Sequence, residues 1–273
     1  MTRIDRRALF ASGAAAALLA ATGLSPEARP REGGRLRLAV PRDGSMERVV
    51  RAAVYDTLTE VGPDGVLRGE VASDWQASAD ARHWEIALRE DVSFHDGRAL
   101  TSADVAASLA SLDAEVEPLG AHHLRISLAE GDTQLPWRLA DPARIIAPGG
   151  ELDRDLAHAV GSGCYSVLRA ERDRHFLGRK VAGHYKAGRA GWADEVEIVV
   201  IPDAAVRAEA LRDGFVDVAA LPRAEALGER GGYQLHPSES DIALAASRTV
   251  GVPRTIGPGA LDDGRITERW WLA

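Results

Sequence analysis

Arg35-Leu36-Arg37-Leu38-Ala39-Val40 alternates polar and apolar positions, the period of a half-buried strand. His83 to Leu88 alternates in the same way through Trp84, Ile86 and Leu88, and Leu124 to Leu128 repeats the pattern. Glu195 to Ile201 carries Val196, Ile198 and Val200 on one side and Val199 and Ile201 on the other, again as a strand does. Tyr165 to Leu168 and His175 to Leu177 read as neighbouring strands, and Val216 to Ala220 and Asp241 to Ala246 as short ones. A helical period replaces this alternation where Met46, Val49, Val50, Ala53, Val54 and Leu58 share a face, which predicts a helix from Met46 to Leu58. Thr101-Ser102-Ala103-Asp104 has the form of a capping box opening a helix that runs to about Leu112. Ala204 to Asp213 is helical and stops at Gly214. Pro63-Asp64-Gly65 and His95-Asp96-Gly97 mark tight turns. Ala143 to Pro148 is a short apolar segment between prolines. Helices and strands interleave, which points to an α/β or α+β fold.

The 273 residues, 45% hydrophobic and 27% charged, suit one large domain or two small ones and exclude a disordered or disulfide-stapled chain. A net charge of −8 argues against a general nucleic-acid binder, which needs a basic face. The single cysteine, Cys164, excludes an internal disulfide and any paired-cysteine metal or redox site. There are two lysines, Lys180 and Lys186.

Residues 1–28 read as an export signal. Arg3, Arg6 and Arg7 precede an apolar run from Ala8 to Leu24, which Pro26 and Pro30 end. The pair Arg6-Arg7 before Ala8-Leu9-Phe10 resembles a twin-arginine signal, and no cysteine follows to take a lipid. Cleavage after Gly23 or after Ala28 would suit it, and a membrane anchor is the alternative reading. The remainder, 29–273, is expected to be a soluble periplasmic protein.

Several segments in order carry a family resemblance. They are Val54-Tyr55-Asp56-Thr57-Leu58, Val71-Ala72-Ser73-Asp74-Trp75, Trp84 to Arg89, Val92-Ser93-Phe94-His95-Asp96-Gly97 and Leu100 to Val105. They continue in Gly161-Ser162-Gly163-Cys164-Tyr165, Val199-Val200-Ile201-Pro202-Asp203 and Gly214-Phe215-Val216-Asp217-Val218. Together they resemble the peptide/nickel-binding branch of the extracytoplasmic solute-binding proteins of ABC importers. Cys164 stands where that family has a proline, and Gly183-His184-Tyr185 replaces an Asn-Pro-x-Tyr-like stretch. The resemblance implies a periplasmic-binding-protein-like (type II) fold, a mixed sheet with flanking helices. Residues 29–273 are expected to form the first lobe of a two-lobed clamp with a shortened C-terminus.

That resemblance implies capture of a small peptide, a nickel chelate or a similar anionic solute for an ABC permease, held weakly by one lobe. Arg144, in Pro142-Ala143-Arg144-Ile145-Ile146-Ala147-Pro148, resembles the arginine that nickel-type members present to a chelator's carboxylates. An internal salt bridge is the equal alternative, since an arginine among apolar residues needs an anion. Met46 and Tyr55 fall near solute-facing positions of the same branch, against the simpler reading of core packing. Trp137 is a candidate for stacking on a ligand, or a core residue. Other motifs have plainer readings. His95-Asp96 suits a turn better than a catalytic pair, and His122-His123 face opposite ways on a strand. Cys164 reads as a small buried hydrophobe. No nucleophile–base set or metal spacing emerges, so neither an enzyme nor a cofactor or metal site is expected. The alternative function is a non-transport interaction or scaffold protein whose exposed clamp face docks a partner or a second copy. Trp270-Trp271 would then dock back on the lobe or meet that partner.

Overall fold

The alternating segment Arg35–Val40 forms β1, the middle strand of a seven-stranded mixed sheet in the computed structural model, which describes residues 29–222, 232–237, 242–253 and 265–273. The export-signal expectation for residues 1–28 lies outside the described residues. Strand β1 is flanked in parallel by β10 (Glu195–Val200) and β11 (Val218–Pro222). Antiparallel strands β9 (His175–Lys180) and β8 (Tyr165–Glu171) extend one side of the sheet. On the other side lie β13 (Ile242–Ser247) and β12 (Tyr233–Pro237).

The period of two decides the layers. Leu36, Leu38, Val196 and Ile198 face a core shared with Val49, Val50 and Ala53 of helix α1 (Ser45–Val54). Ala39, Val199 and Ile201 turn to the opposite face, where Ala208 and Leu211 of α4 (Ala204–Arg212) pack on them.

A second apolar cluster lies around a four-stranded antiparallel sheet in the order β4 (Ala72–Ala77), β5 (His83–Leu88), β7 (His123–Ser127), β6 (Glu115–Gly120). Trp84, Ile86, Leu124 and Ile126 pack there with Val105 and Leu109, at helix α2 (Ser102–Ser108), and Leu135 of α3 (Leu135–Arg138). Strands β2 (Thr59–Val61) and β3 (Leu67–Gly69) form a hairpin whose turn places Gly65 at φ +74°, a conformation that glycine adopts without strain. Near the C-terminus, α5 (Ile266–Arg269) leads into β15 (Trp271–Leu272), which pairs with β14 (Val250–Gly251). Trp270 and Trp271 are both buried. No helix among the described residues is long and apolar enough to cross a membrane.

The α/β expectation and every strand expected from alternation are met, and Asp241 alone of those strands lies outside the described residues. Two helices are shorter than their patterns. The helix expected over Met46–Leu58 ends at Val54, and Tyr55 is already extended at φ −121°, ψ 150°. Its continuation is drawn away by a side chain, because the Thr57 N–H donates to Glu70 Oε2 at 2.8 Å. The helix expected to reach Leu112 stops at Ser108. Its start is as expected, with Thr101 N and Oγ1 donating to Asp104 Oδ2 at 2.9 and 2.7 Å. Asp104 Oδ1 also accepts from Gly149 N at 2.8 Å. Asp104→Ala is expected to cost about 1 kcal/mol, a fall of about 2–4 °C in Tm. An unchanged thermal melt would show that the box contributes nothing.

Candidate functional site

Helix α1 ends where residues 161–163 cross it. The Gly163 N–H donates to the Val54 carbonyl at 2.8 Å. A Cβ on Gly161 would lie 2.0 Å from that same oxygen, so only glycine permits the crossing. Two imidazoles brace the loop from outside. His95 Nε2 meets the Gly163 carbonyl at 2.9 Å, and His184 Nε2 meets the Ser162 carbonyl at 2.8 Å. Burial lowers the affinity of both for protons, His184 down to about 4, so both serve as neutral rings. His95 is therefore a brace and not half of a catalytic pair, and Asp96 bonds Arg98 instead.

The extended step at Tyr55 carries Asp56 and Thr57 into the interior, where an ionic cluster assembles. Lys186 Nζ donates to Asp56 Oδ1 at 2.8 Å, to Glu268 Oε2 at 3.1 Å and to Glu70. Arg265 donates to Glu268 Oε1 at 3.0 Å, to Thr57 Oγ1 at 2.9 Å and to both oxygens of Glu70, that to Oε2 at 2.7 Å. All five charged residues are buried. At the rim, Arg269 reaches Glu60 at 3.3 Å.

The carboxyls divide electrostatically. Burial works against the ionised form of all three. Lys186 and Arg265 overcome it at Glu268, held down at about 2, and at Glu70, also held below the usual carboxylate range. At Asp56 burial prevails, Lys186 opposes it only partly, and the carboxyl is pushed up to about 7. The oxygens of Glu60, Glu70 and Glu268 stand close enough to share a cation, and the guanidinium of Arg265 already bonds Glu70 and Glu268 there.

Cys164 borders this cluster. Its Sγ lies 3.3 Å from Glu268 Oε2 and 3.7 Å from His184 Nδ1. Thiol, imidazole and carboxylate thus stand together, yet the thiol is 2% exposed and burial raises its pKa. His184 Nδ1 also accepts the Lys186 N–H at 3.1 Å, so it is not free to take a proton from sulfur. Such a thiol behaves as a small buried hydrophobe, as its sequence context suggested.

A cleft of about 430 Å³ opens over the outer side of the cluster. Its walls are α1 through Glu47, Arg48, Arg51 and Tyr55, the segment Asp141-Pro142-Ala143 with Ile145, and the edge of Thr57 and Arg265. The volume falls in the range of small-molecule sites. Arg51 pairs with Glu47 at 2.7 Å, while the Arg48 guanidinium bonds, among the described residues, the Ser45 hydroxyl at 3.2 Å. Tyr55 packs at the floor, and burial pushes its hydroxyl up to about 12, so it stays protonated.

Of the four residues expected at a ligand site, the structure places one, Tyr55, in the wall of this cleft and a second, Arg144, in the chain segment next to it. Arg144 sits between the lining residues Ala143 and Ile145. Among the described residues, the Arg144 Nε is buried with no hydrogen-bond partner and its guanidinium makes no ion pair. Met46 is 3% exposed and packs in the core beneath β1. Trp137 is 45% exposed on α3, away from the cleft walls and outside the core. Arg48 and Arg51, three residues apart on one helical face, carried a readable signal that went unused. Arg265 carried none, because only tertiary folding brings it there.

Residues 66–241 match the model of bacterial extracellular solute-binding proteins, family 5 Middle. The chain belongs to this family. The family 5 fold recurs in AgaA of A. tumefaciens R10, solved in complex with agropinic acid. It is 27% identical with a TM-score of 0.68, covering 75% of this chain and 48% of that one. NikZ of Campylobacter jejuni, solved with Ni(L-His), shares the fold at 19% identity with a TM-score of 0.62, covering 75% of this chain and 47% of that one. A curated relative, the HTH-type transcriptional regulator SgrR of Pectobacterium atrosepticum, is 31% identical over 168 residues, which are 58% of this chain and 30% of that protein. This family 5 chain thus spans about half the length of the solved neighbours and 30% of the curated relative.

Proposed function

We propose that this chain captures a small carboxylate-bearing solute, a short peptide, a metal chelate or a related organic acid, in the cleft between α1 and residues 141–145. The observation that carries the reading is Arg144, half-buried and without a counter-ion among the described residues, in the segment between the lining residues Ala143 and Ile145 of a cleft whose walls carry Arg48, Arg51 and Arg265. A buried cation without a partner is costly, and a carboxylate in bidentate contact removes that cost. Tyr55 and Ile145 supply the apolar floor. Support for the solute class comes from the family and from neighbours solved with agropinic acid and with a nickel–histidine chelate.

In this reading the protein is exported, works outside the cytoplasm, and delivers its solute to an ABC permease by binding, without chemistry of its own. A second reading, a module that reports bound solute to a partner protein, draws support from the similarity to regulators. Isothermal calorimetry of the full chain with dipeptides, Ni-histidine and agropinic acid is expected to give saturable, salt-sensitive binding of at least one. Arg144→Ala should weaken it about tenfold or more at unchanged melting temperature. Equal affinity in the variant would remove Arg144 from the site, and no binding of any of the three would overturn the solute class. A permease pull-down against a regulator pull-down separates the two readings.

A further inference from the structure

Among the described residues, the seat of residues 265–273 contains one more buried carboxyl than it has buried cations. Asp56, Glu70 and Glu268 face Lys186 and Arg265, all of them buried, while Glu60 at the rim pairs with Arg269 at 3.3 Å and more distantly with Arg265 at 3.7 Å. Asp56 is the odd member. Its Oδ1 accepts from Lys186, but its Oδ2 is buried without a donor among the described residues, whereas both oxygens of Glu70 and both of Glu268 are bonded. With Asp56 ionised, a surplus negative charge is trapped away from water; with Asp56 neutral, two carboxylates balance two cations.

The elements around this charge come from well-separated parts of the chain. Asp56 follows α1, Glu70 follows β3, and Lys186 lies in the loop after β9. Glu268 and Arg265 belong to residues 265–273, which are held also by the Trp270 and Trp271 side chains, by β15 on β14, by the Gly191 N–H on the Glu268 carbonyl at 2.7 Å and by Arg269 on the Val61 carbonyl at 2.7 Å. Separating that piece would admit water to Asp56.

We infer that Asp56 makes this seat a proton-controlled latch: with Asp56 neutral, residues 265–273 close on the domain, and with Asp56 ionised they loosen. Arg265 is at once a latch residue and part of the cleft wall, so the latch reaches the site described above.

The groups facing Asp56 are Lys186 and Tyr185 from one loop, Glu70 from behind β3, Glu268 from α5, and Cys164 at the start of β8. Tyr185 and Cys164 are both pushed upward by burial and do not titrate near neutrality, and His184 is held at about 4. Asp56 alone of these changes charge near 7. Its closed-state value lies above the ordinary carboxylate value, so the closed form binds the proton more tightly. The stabilisation is complete below that ordinary value and is lost as pH rises toward 7. Glu268 and Glu70 have the opposite sign, and their contribution fades only in acid.

Hydrogen exchange on the full chain, corrected for intrinsic rates, tests the latch. The amides of Glu268, Trp270 and Ala273, bonded to Arg265, Ile266 and Thr249, are the reporters. Their protection is expected to fall by up to about tenfold per pH unit between pH 5 and 7 and to level above, while β5 and β7 stay flat. Asp56→Asn, which mimics the neutral acid, should abolish the slope. A flat profile at 265–273 in the wild type overturns the inference, as does a slope that survives in Asp56→Asn. Should that variant not fold, the wild-type profile against β5 and β7 still decides.

Discussion

Lys186→Met is expected to destabilise the protein by about 3–5 kcal/mol, the range for removing one partner from a buried ion pair. Lys186 is one of two lysines in the chain, and its ammonium is bonded to three buried carboxyls. Asp56 can become neutral once its cation is gone, but Glu70 and Glu268 then share Arg265 alone. Burial acts to strip the proton from Lys186, and the carboxylates of Asp56, Glu268 and Glu70 outweigh it, so the charge is present at all working pH values. For a chain of this size the loss corresponds to roughly 6–20 °C in Tm. The variant should also recover stability as pH falls from 8 to 5, because a proton on a second carboxyl then removes the surplus charge. Thermal melts at pH 5 and 8 read both effects. A variant melting within about 2 °C of wild type at pH 8 would mean that the cluster is hydrated and carries little of the stability.

The contrast between what was legible in the sequence and what was not follows from the range of the interactions. Strands β1, β5, β7 and β10 were readable because one face of each is buried, so apolar residues recur at every second position. Strand β4 was not, because Ser73, Asp74, Gln76 and Ala77 are exposed and leave no alternation. The capping box at Thr101 and Asp104 is a local device and needed no tertiary information.

Candidate chemistry was less legible. Met46 and Tyr55 were both placed near the solute by the family resemblance, yet the structure divides them. Met46 goes under the sheet, and Tyr55 lies at the first residue past the helix, where the chain turns toward the cleft. Arg144 was singled out by the resemblance of its segment to nickel-type members, with its apolar neighbours as a second signal. The cluster of Asp56, Glu70, Lys186, Arg265 and Glu268 was invisible, because its members are spread from residue 56 to residue 268 and each alone reads as a surface charge. Its one sequence trace is a pair of prolonged apolar runs interrupted by charge, at Val54-Tyr55-Asp56 and Gly69-Glu70-Val71.

The terminal tryptophans give the second large effect. Trp270→Ala should destabilise by about 3–5 kcal/mol, whereas Phe215→Ala should change stability by less than about 0.5 kcal/mol. Trp270 is 1% exposed and packs in the core cluster that contains Leu36, Val250 and Ile266. Phe215 is 70% exposed, so its ring is already in water in the folded state. Trp271 adds a steric lock beside it, since a Cβ on Gly251 would fall 2.0 Å from its indole. The alanine at 270 leaves a void that the flanking strand β1 cannot fill, because Leu36 and Leu38 are fixed by the ladders to β10 and β11. Urea denaturation of the two variants beside wild type separates the cases. Near-equal midpoints for Trp270→Ala and wild type would mean that residues 265–273 contribute no packing energy. Interior seating of the Trp pair would then be incidental, and the ionic seat alone would hold the segment down.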